Sequence, residues 1–371
     1  MAQGKRISVA APMFCGKEVE YVQECLQTTW ISSNGRFISA FEESFATFCG
    51  ASHAIACNSG TSALHLALLG VGIGPGDEVI VPTLTYVASA NAVRYCGATP
   101  VFVDCEPLTM NLNVELIADR LTRRTKAIMA VHLYGHPAEM DGLSKLARDH
   151  NLYVIEDAAE AHGARYRGRA AGALGHVAAF SFFGNKILTT GEGGMLTTSD
   201  PDLASRVRIL RGQGVDPERR YWFPILGYNY RMTNIAAAIG LAQLERAQDH
   251  IRARHVVREW YDKYLAGLSP LIRLPHEAEH VRHAFWSYVI ILEDHVPWSR
   301  DAFMEQLDQC GIETRPVFHP LHTLPFYRQP QESFPVAEHL AQRGISLPSH
   351  ALLTEEDVEY IAGCITNVLD Q

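Results

Sequence analysis

The sequence has no Cys-x-x-Cys pair. Its eight cysteines are scattered along the chain, which excludes a zinc ribbon and a dithiol redox motif and leaves thiols that read as buried side chains in a reducing compartment. No apolar run approaches the roughly eighteen uninterrupted residues of a membrane span. The stretch before Pro12 is too short for a signal-peptide core and gives way to charged, helix-like sequence, so the expected location is cytoplasmic. Basic runs are also missing: 32 Lys plus Arg stand against 41 Asp plus Glu, a net charge of −9. Without a positive footprint, neither nucleic acid nor an anionic membrane is an expected partner. Neither G-x-x-x-x-G-K-[ST] nor G-x-S-x-G occurs, so a P-loop nucleotidase and a serine hydrolase have no anchor.

What is present is 371 residues, 47% hydrophobic and 20% charged, enough for a globular protein of two domains. From 52 to 199 short apolar runs alternate with helical patterns, the mark of an α/β domain around a mostly parallel sheet. The expected strands are 53–57, 78–81, 100–103, 127–132, 153–155, 178–182 and 195–198. The helices expected between them are 61–69, 87–95, 114–121 and 141–150. Residues 236–254 read as one long helix. Pro270, Pro275 and a His-rich stretch then break the pattern, and a strand at 286–292 with helices at 300–310, 336–342 and 355–369 builds a smaller α+β domain. The expected division is 1–268, with N-terminal helices, and 269–371.

Two motifs are weighed against simpler readings. Gly70-Val-Gly72-Ile-Gly74-Pro75-Gly76 imitates a dinucleotide loop, but Pro75 takes the last glycine position and the run leads from a helix into a strand; a helix end and turn is expected. His276-Glu277-Ala-Glu-His280 fits the zinc-hydrolase pattern, yet Pro275 precedes it and no apolar stripe marks a buried helix, so a solvated loop is expected.

Three features call for a joint explanation. In Asn58-Ser-Gly60-Thr61-Ser, small residues follow a strand and open a helix, offering free amides to a phosphate; an ordinary N-cap looks the same. In Tyr153-Val-Ile-Glu-Asp157-Ala-Ala-Glu160-Ala-His162-Gly163 an acid ends a buried strand, where open α/β sheets bind ligands; capping a following helix is the simpler role. In Phe180-Ser181-Phe-Phe-Gly-Asn-Lys186, followed by Gly191-Glu-Gly-Gly194, a lysine stands where its amine can be made nucleophilic; the simpler alternative is a surface loop. Phosphate cradle, carboxylate and lysine are together the parts a pyridoxal 5′-phosphate (PLP) site needs.

Through these motifs the chain from Ile7 onward resembles the DegT/DnrJ/EryC1/StrS sugar aminotransferases, which are fold-type I PLP enzymes. The resemblance implies Lys186 as the catalytic Schiff-base lysine, Asp157 at the pyridine nitrogen, and Gly60, Thr61 and Ser181 at the phosphate. It further implies Tyr86 against the ring, Glu160 near its hydroxyl, and Asn229 as a phosphate ligand supplied by a neighbouring subunit, hence a homodimer with shared sites, with a dimer or a tetramer left open. A related dehydratase has His at the lysine position, so Lys186 favours amine transfer. Residues 210–234 and 311–320 imply transfer from L-glutamate, through a pyridoxamine 5′-phosphate form, to C4 of GDP-4-keto-6-deoxy-D-mannose, in O-antigen or lipopolysaccharide synthesis. An arginine-rich stretch, 206–231, suits a diphosphate, with Arg231 and Arg315 the chosen ligands and Tyr221, Trp222 and Phe318 as walls for base or sugar. For Arg206, Arg208 and Arg211 a solvated helix face is the simpler reading. The alternatives are a UDP- or dTDP-linked keto sugar, a non-catalytic PLP-binding regulator, and a zinc hydrolase using His276, Glu277 and His280.

Overall fold

The computed structural model describes residues 6–328 and 332–371. Two helices, α1 (Glu18–Thr28) and α2 (Arg36–Cys49), lead into an alternating series: β1 (His53–Cys57), α3 (Gly60–Gly70), β2 (Glu78–Pro82), α4 (Ala88–Tyr95), β3 (Thr99–Val103), β4 (Thr125–Val131), α5 (Met140–His150) and β5 (Tyr153–Asp157). A short hairpin, β6 (Arg165–Tyr166) and β7 (Arg169–Ala170), precedes β8 (Val177–Ser181), β9 (Gly194–Thr198) and the helices α6 (Pro201–Arg211), α7 (Asn234–Glu245) and α8 (Ala247–Leu265). The remainder is β10 (Ile272–Arg273), β11 (Val281–Arg282), β12 (Tyr288–Leu292), α9 (Arg300–Gln309), β13 (Arg315–Pro316), α10 (Pro335–Arg343), β14 (Gly344–Leu347) and α11 (Glu355–Leu369).

The main sheet has seven strands in the order β1-β9-β8-β5-β4-β2-β3. Only β9 runs against the others, so the C-terminal ends of β1, β2, β4, β5 and β8 share one edge. Strand alternation supplies both faces with apolar residues. Ala54, Ala56, Ile80, Ile128, Ala130 and Phe180 pack under α1, α2, α5 and α7, whereas Ile55, Val79, Val81, Met129, Ile155 and Leu196 pack under α3, α4 and α6. Helix α2 presents Phe37, Phe41 and Phe45 one turn apart, all buried, each worth about 1.5–3 kcal/mol of burial. A four-stranded antiparallel sheet, β10-β12-β14-β13, forms a third core with α9, α11, the second half of α8 and Ile7.

Two expected elements differ. Residues 114–121 form two 3-10 turns, Val114–Leu116 and Ala118–Arg120; among them only Ile117 is buried while Leu116 stays exposed, too little apolar contact to offset helix nucleation. The expected helix 236–254 is broken at Arg246, with φ −110° and ψ 15°. Helix α7 and the start of α8, through Ala247 and Ile251, serve the first core; from Val257 onward α8 serves the third through Tyr261 and Leu265. The glycine run after α3 is a turn into β2, with Gly72 and Gly76 at positive φ. Residues 276–280 form no helix: Glu277 accepts the amide of His283 and His280 packs on Tyr166. Among the described residues no group of three or more His, Cys, Asp or Glu side chains is placed to hold a metal, so the zinc-hydrolase alternative finds no support. No helix among them is long and apolar enough to cross a membrane.

Candidate active site

Five strand ends meet at one cavity of about 500 Å³. The end of β1 contributes Ser59, Gly60 and Thr61; that of β2 Thr85 and Tyr86; that of β4 His132 and Tyr134; that of β5 Asp157 and Glu160; and that of β8 Ser181 and Lys186. Arg315 and Phe318 close it from the smaller sheet. Nine predicted site residues are thus gathered: Gly60, Thr61, Tyr86, Asp157, Glu160, Ser181, Lys186, Arg315 and Phe318.

The cradle is a helix start. Ser59 caps α3 through a reciprocal bond pair with Ser62, leaving the Gly60 and Thr61 amides, the first of the helix, without intrahelical acceptors. Glycine is required here, because a Cβ on Gly60 would stand 2.7 Å from Ser181 Cβ. Amides at a helix N-terminus beside two hydroxyls suit a phosphate group.

Across the cavity, Asp157 accepts from Ser89 Oγ at 2.7 Å and from the Ala159 amide at 3.2 Å. It caps a turn; no helix follows. Burial raises its pKa against these two bonds, so a cationic partner such as a pyridinium would favour its charged form. Glu160 is also raised by burial, opposed by Lys186; its Oε2 accepts the Tyr134 amide at 2.8 Å and its Oε1 accepts from Lys186 Nζ at 3.3 Å. Lys186 is an interior lysine, its side chain 11% exposed. Hydroxyls and amides for a phosphate, a buried acid and a lysine amine are groups that suit PLP.

Four predicted residues lie elsewhere. Asn229, Arg231, Tyr221 and Trp222 are exposed and do not line the cavity; Arg231 donates to Asn229 Oδ1 at 3.2 Å. Arg206 and Arg208 lie exposed on the face of α6, as the solvated reading expects, while Arg211 is half-buried and departs from it; all three are also hydrogen-bonded. Arg208 and Arg211 both pair with Glu42 at 2.7 Å and donate to the Ala54 and Ala56 carbonyls, and Arg206 donates to the Gly70 carbonyl. They tie α6 to β1, α2 and α3, because β1 is an edge strand with free carbonyls.

Sequence reasoning missed Tyr134, Trp286, Ser89 and His132. Tyr134 holds a left-handed φ of 55° while buried, a strained backbone of the kind found at functional sites. Its ring is stacked between Trp286 (6.2 Å) and Phe318 (5.5 Å), and Phe318 in turn touches Tyr86 (5.7 Å), so an aromatic wall runs along the cavity. A Leu-Tyr-Gly directly after a strand was the available signal for Tyr134; Ser89 and Trp286 carried none.

Residues 14–366 match the DegT/DnrJ/EryC1/StrS aminotransferase family. The chain is 58% identical to the GDP-perosamine synthase of Caulobacter vibrioides over 370 residues, covering 100% of both. It is 49% identical to the GDP-perosamine synthase of Escherichia coli O157:H7 over 361 residues, 97% of this chain and 98% of the other. Its fold superposes on DesV of S. venezuelae, solved in complex with a ketimine intermediate, with a TM-score of 0.90 and 38% identity over 96% of this chain and 95% of that one. On motifs, cavity and full-length likeness together, this chain belongs to the DegT/DnrJ/EryC1/StrS aminotransferase family.

Proposed function

We propose that the protein is a PLP-dependent nucleotide-sugar aminotransferase that moves the amino group of L-glutamate to C4 of GDP-4-keto-6-deoxy-D-mannose, giving 2-oxoglutarate and GDP-perosamine. The observation that carries this is the convergence of Lys186, Asp157 and the Gly60-Thr61 cradle on one cavity, in a chain with full-length likeness to GDP-perosamine synthases. The chemistry the cofactor supplies when bound is an electron sink and a carrier for the amino group. Gly60, Thr61 and Ser181 hold its phosphate, and Asp157, steadied by Ser89, keeps the proton on its ring nitrogen. Lys186 would hold it between turnovers and, once its amine is free, would move the proton at the donor Cα. Glu160 keeps that amine oriented, and the aromatic wall excludes water from it.

Arg315, exposed at the cavity rim, is the cation for the substrate's negative charge, and Phe318 and Tyr86 provide apolar walls. Asn229, Arg231, Tyr221 and Trp222 serve the site of a second subunit in a homodimer. This reading is supported by the exposed run beside them, in which Tyr221, Phe223 and Leu226 are 75%, 53% and 86% accessible, an apolar surface that a partner would cover. The division into 1–268 and 269–371, a cytoplasmic location and a role in O-antigen or lipopolysaccharide synthesis belong to the same proposal.

The test is the visible spectrum of the purified protein. Excess glutamate should abolish the absorption of the lysine-bound cofactor, and GDP-4-keto-6-deoxy-D-mannose should restore it. Restoration by a UDP- or dTDP-linked keto sugar alone would overturn the nucleotide assignment. Failure to develop any such band with added PLP would overturn the cofactor and with it the reaction.

A further inference from the structure

Lys186 Nζ has two close neighbours. One is Glu160 Oε1 at 3.3 Å; the other is the indole of Trp286, whose ring centroid is 4.0 Å away. Asp157 and His162 are the other titratable groups within electrostatic reach of the amine. The same indole acts at the lysine's other end: Trp286 Nε1 donates to the Asn185 carbonyl at 2.8 Å, the peptide group from which Lys186 hangs. One side chain therefore holds both the backbone and the tip of the lysine.

Trp286 is itself held on every side. Its amide donates to the Tyr134 carbonyl at 3.1 Å, and its ring lies within 6° of parallel to that of Tyr134. Its carbonyl accepts from Arg254 Nη1 at 2.7 Å and from Ser349 Oγ at 3.3 Å. Arg254 is buried and gives a second bond to the Ser349 carbonyl; among the described residues no carboxylate pairs with it. A buried guanidinium committed to carbonyls is a brace. It ties α8 to the two segments that carry Trp286 and Ser349.

We infer that Trp286 is a positioning residue for Lys186: its indole face and the Glu160 carboxylate form a berth for the free ammonium between the two half-reactions, while its N–H fixes the peptide that carries the lysine. The inference rests on the aminotransferase reading for its purpose, but not for its geometry. An ammonium over an indole face is attracted to it electrostatically, and a lysine held at both ends is less free to swing toward a reagent, so the berth sets how readily Lys186 reacts.

The experiment uses the full chain freed of cofactor and treated with trace acetic anhydride at pH 7.5. The acetylation rate of Lys186 is read by mass spectrometry against that of exposed Lys145. Trp286→Leu should raise the relative rate about tenfold, and Trp286→Phe, which keeps an aromatic face, should stay within about threefold of the wild type. Trp286→Gln, which retains a donor for Asn185 but no face, should follow Leu and serves if the Leu variant does not fold. An unchanged rate in Leu and Gln, or an equal rise in Leu, Gln and Phe, overturns the berth. Because no turnover is measured, failure here is distinct from failure of the proposed reaction. In the loaded enzyme the same order of variants is expected in kcat with KM unchanged; a loss confined to KM also overturns the inference.

Discussion

Glu156 and Asp157 are consecutive, yet their carboxylates lie on opposite faces of the same strand. Asp157 lines the cavity. Glu156, fully buried on the far side, accepts from His132 Nε2 at 3.0 Å and from the Gly172, Leu174 and Gly175 amides at 2.7–2.8 Å. Burial opposes its charge, but the His132 bond and these amides prevail and hold its carboxyl below the usual range.

The two neighbours should therefore fail in opposite ways. Asp157→Asn is expected to leave the unfolding midpoint nearly unchanged and lower kcat by about 100-fold or more, the scale of losing a preorganised charge at the reacting centre. Glu156→Gln is expected to cost about 3 kcal/mol of stability, because one of the two acceptor oxygens becomes an NH2 that faces N–H donors placed for a carboxylate. Urea unfolding beside kinetics separates them; equal losses of stability would refute the assignment by face.

Lys186→Ala should abolish turnover by about 1,000-fold or more and remove the visible absorption of lysine-bound cofactor, while the purified protein still retains PLP through the cradle. Substantial activity in this variant would remove Lys186 from its role.

Gly60→Ala tests the cradle. The added methyl meets Ser181 Cβ at 2.7 Å and must push the helix start away from the hydroxyl, so PLP affinity should fall by about 10- to 100-fold. Equilibrium dialysis would show it; unchanged affinity would place the phosphate elsewhere.

His162 offers a test of stability against pH. It is wholly buried among Phe45, Phe180 and Phe182, and neither ring nitrogen has a hydrogen-bond partner among the described residues. Burial lowers its pKa to about 3, whereas the unfolded imidazole titrates near about 6.5. Between those values the unfolded chain binds the extra proton, so the contribution is complete above about pH 6.5 and is lost as pH falls toward 3. His162→Phe should retain about 2 kcal/mol more of its stability than the wild type does on going from pH 7.5 to pH 5. Asp157 and Glu160, with raised pKa values, act in the opposite sense but are common to both proteins. Identical losses in urea titrations at the two pH values would count against a neutral His162.

The alternation of the large sheet was legible because β1, β2, β4, β5 and β8 are apolar runs closed by Pro, Gly or acid, and the site was legible where its residues sit at those strand ends. Gly60, Asp157 and Lys186 each stood beside a strand that periodicity had already placed. Trp286 opened an expected strand too, but its role was hidden: it reaches Lys186 from a segment far along the chain, braced by Arg254, and only tertiary packing brings an indole over an amine. The break at Arg246 was hidden because the apolar period runs on through it, with Ala242 before it and Ala247 and Ile251 after it all in the first core. Arg211 misled because charge density marks cations without marking their partners.

Strand β1 stands at the edge of the sheet, paired along its length with β9, and Gly194 approaches so closely that a Cβ there would lie 2.1 Å from the Ser59 carbonyl oxygen. Of the seven strands, the one that opens the cradle is translated first and the one that secures it last. On the ribosome, a nascent chain that ends before residue 198 carries β1 as an unpaired edge open to wrong partners. The cradle is braced on this side only after β9 has emerged and docked, which makes its completion a late event in the life of the polypeptide.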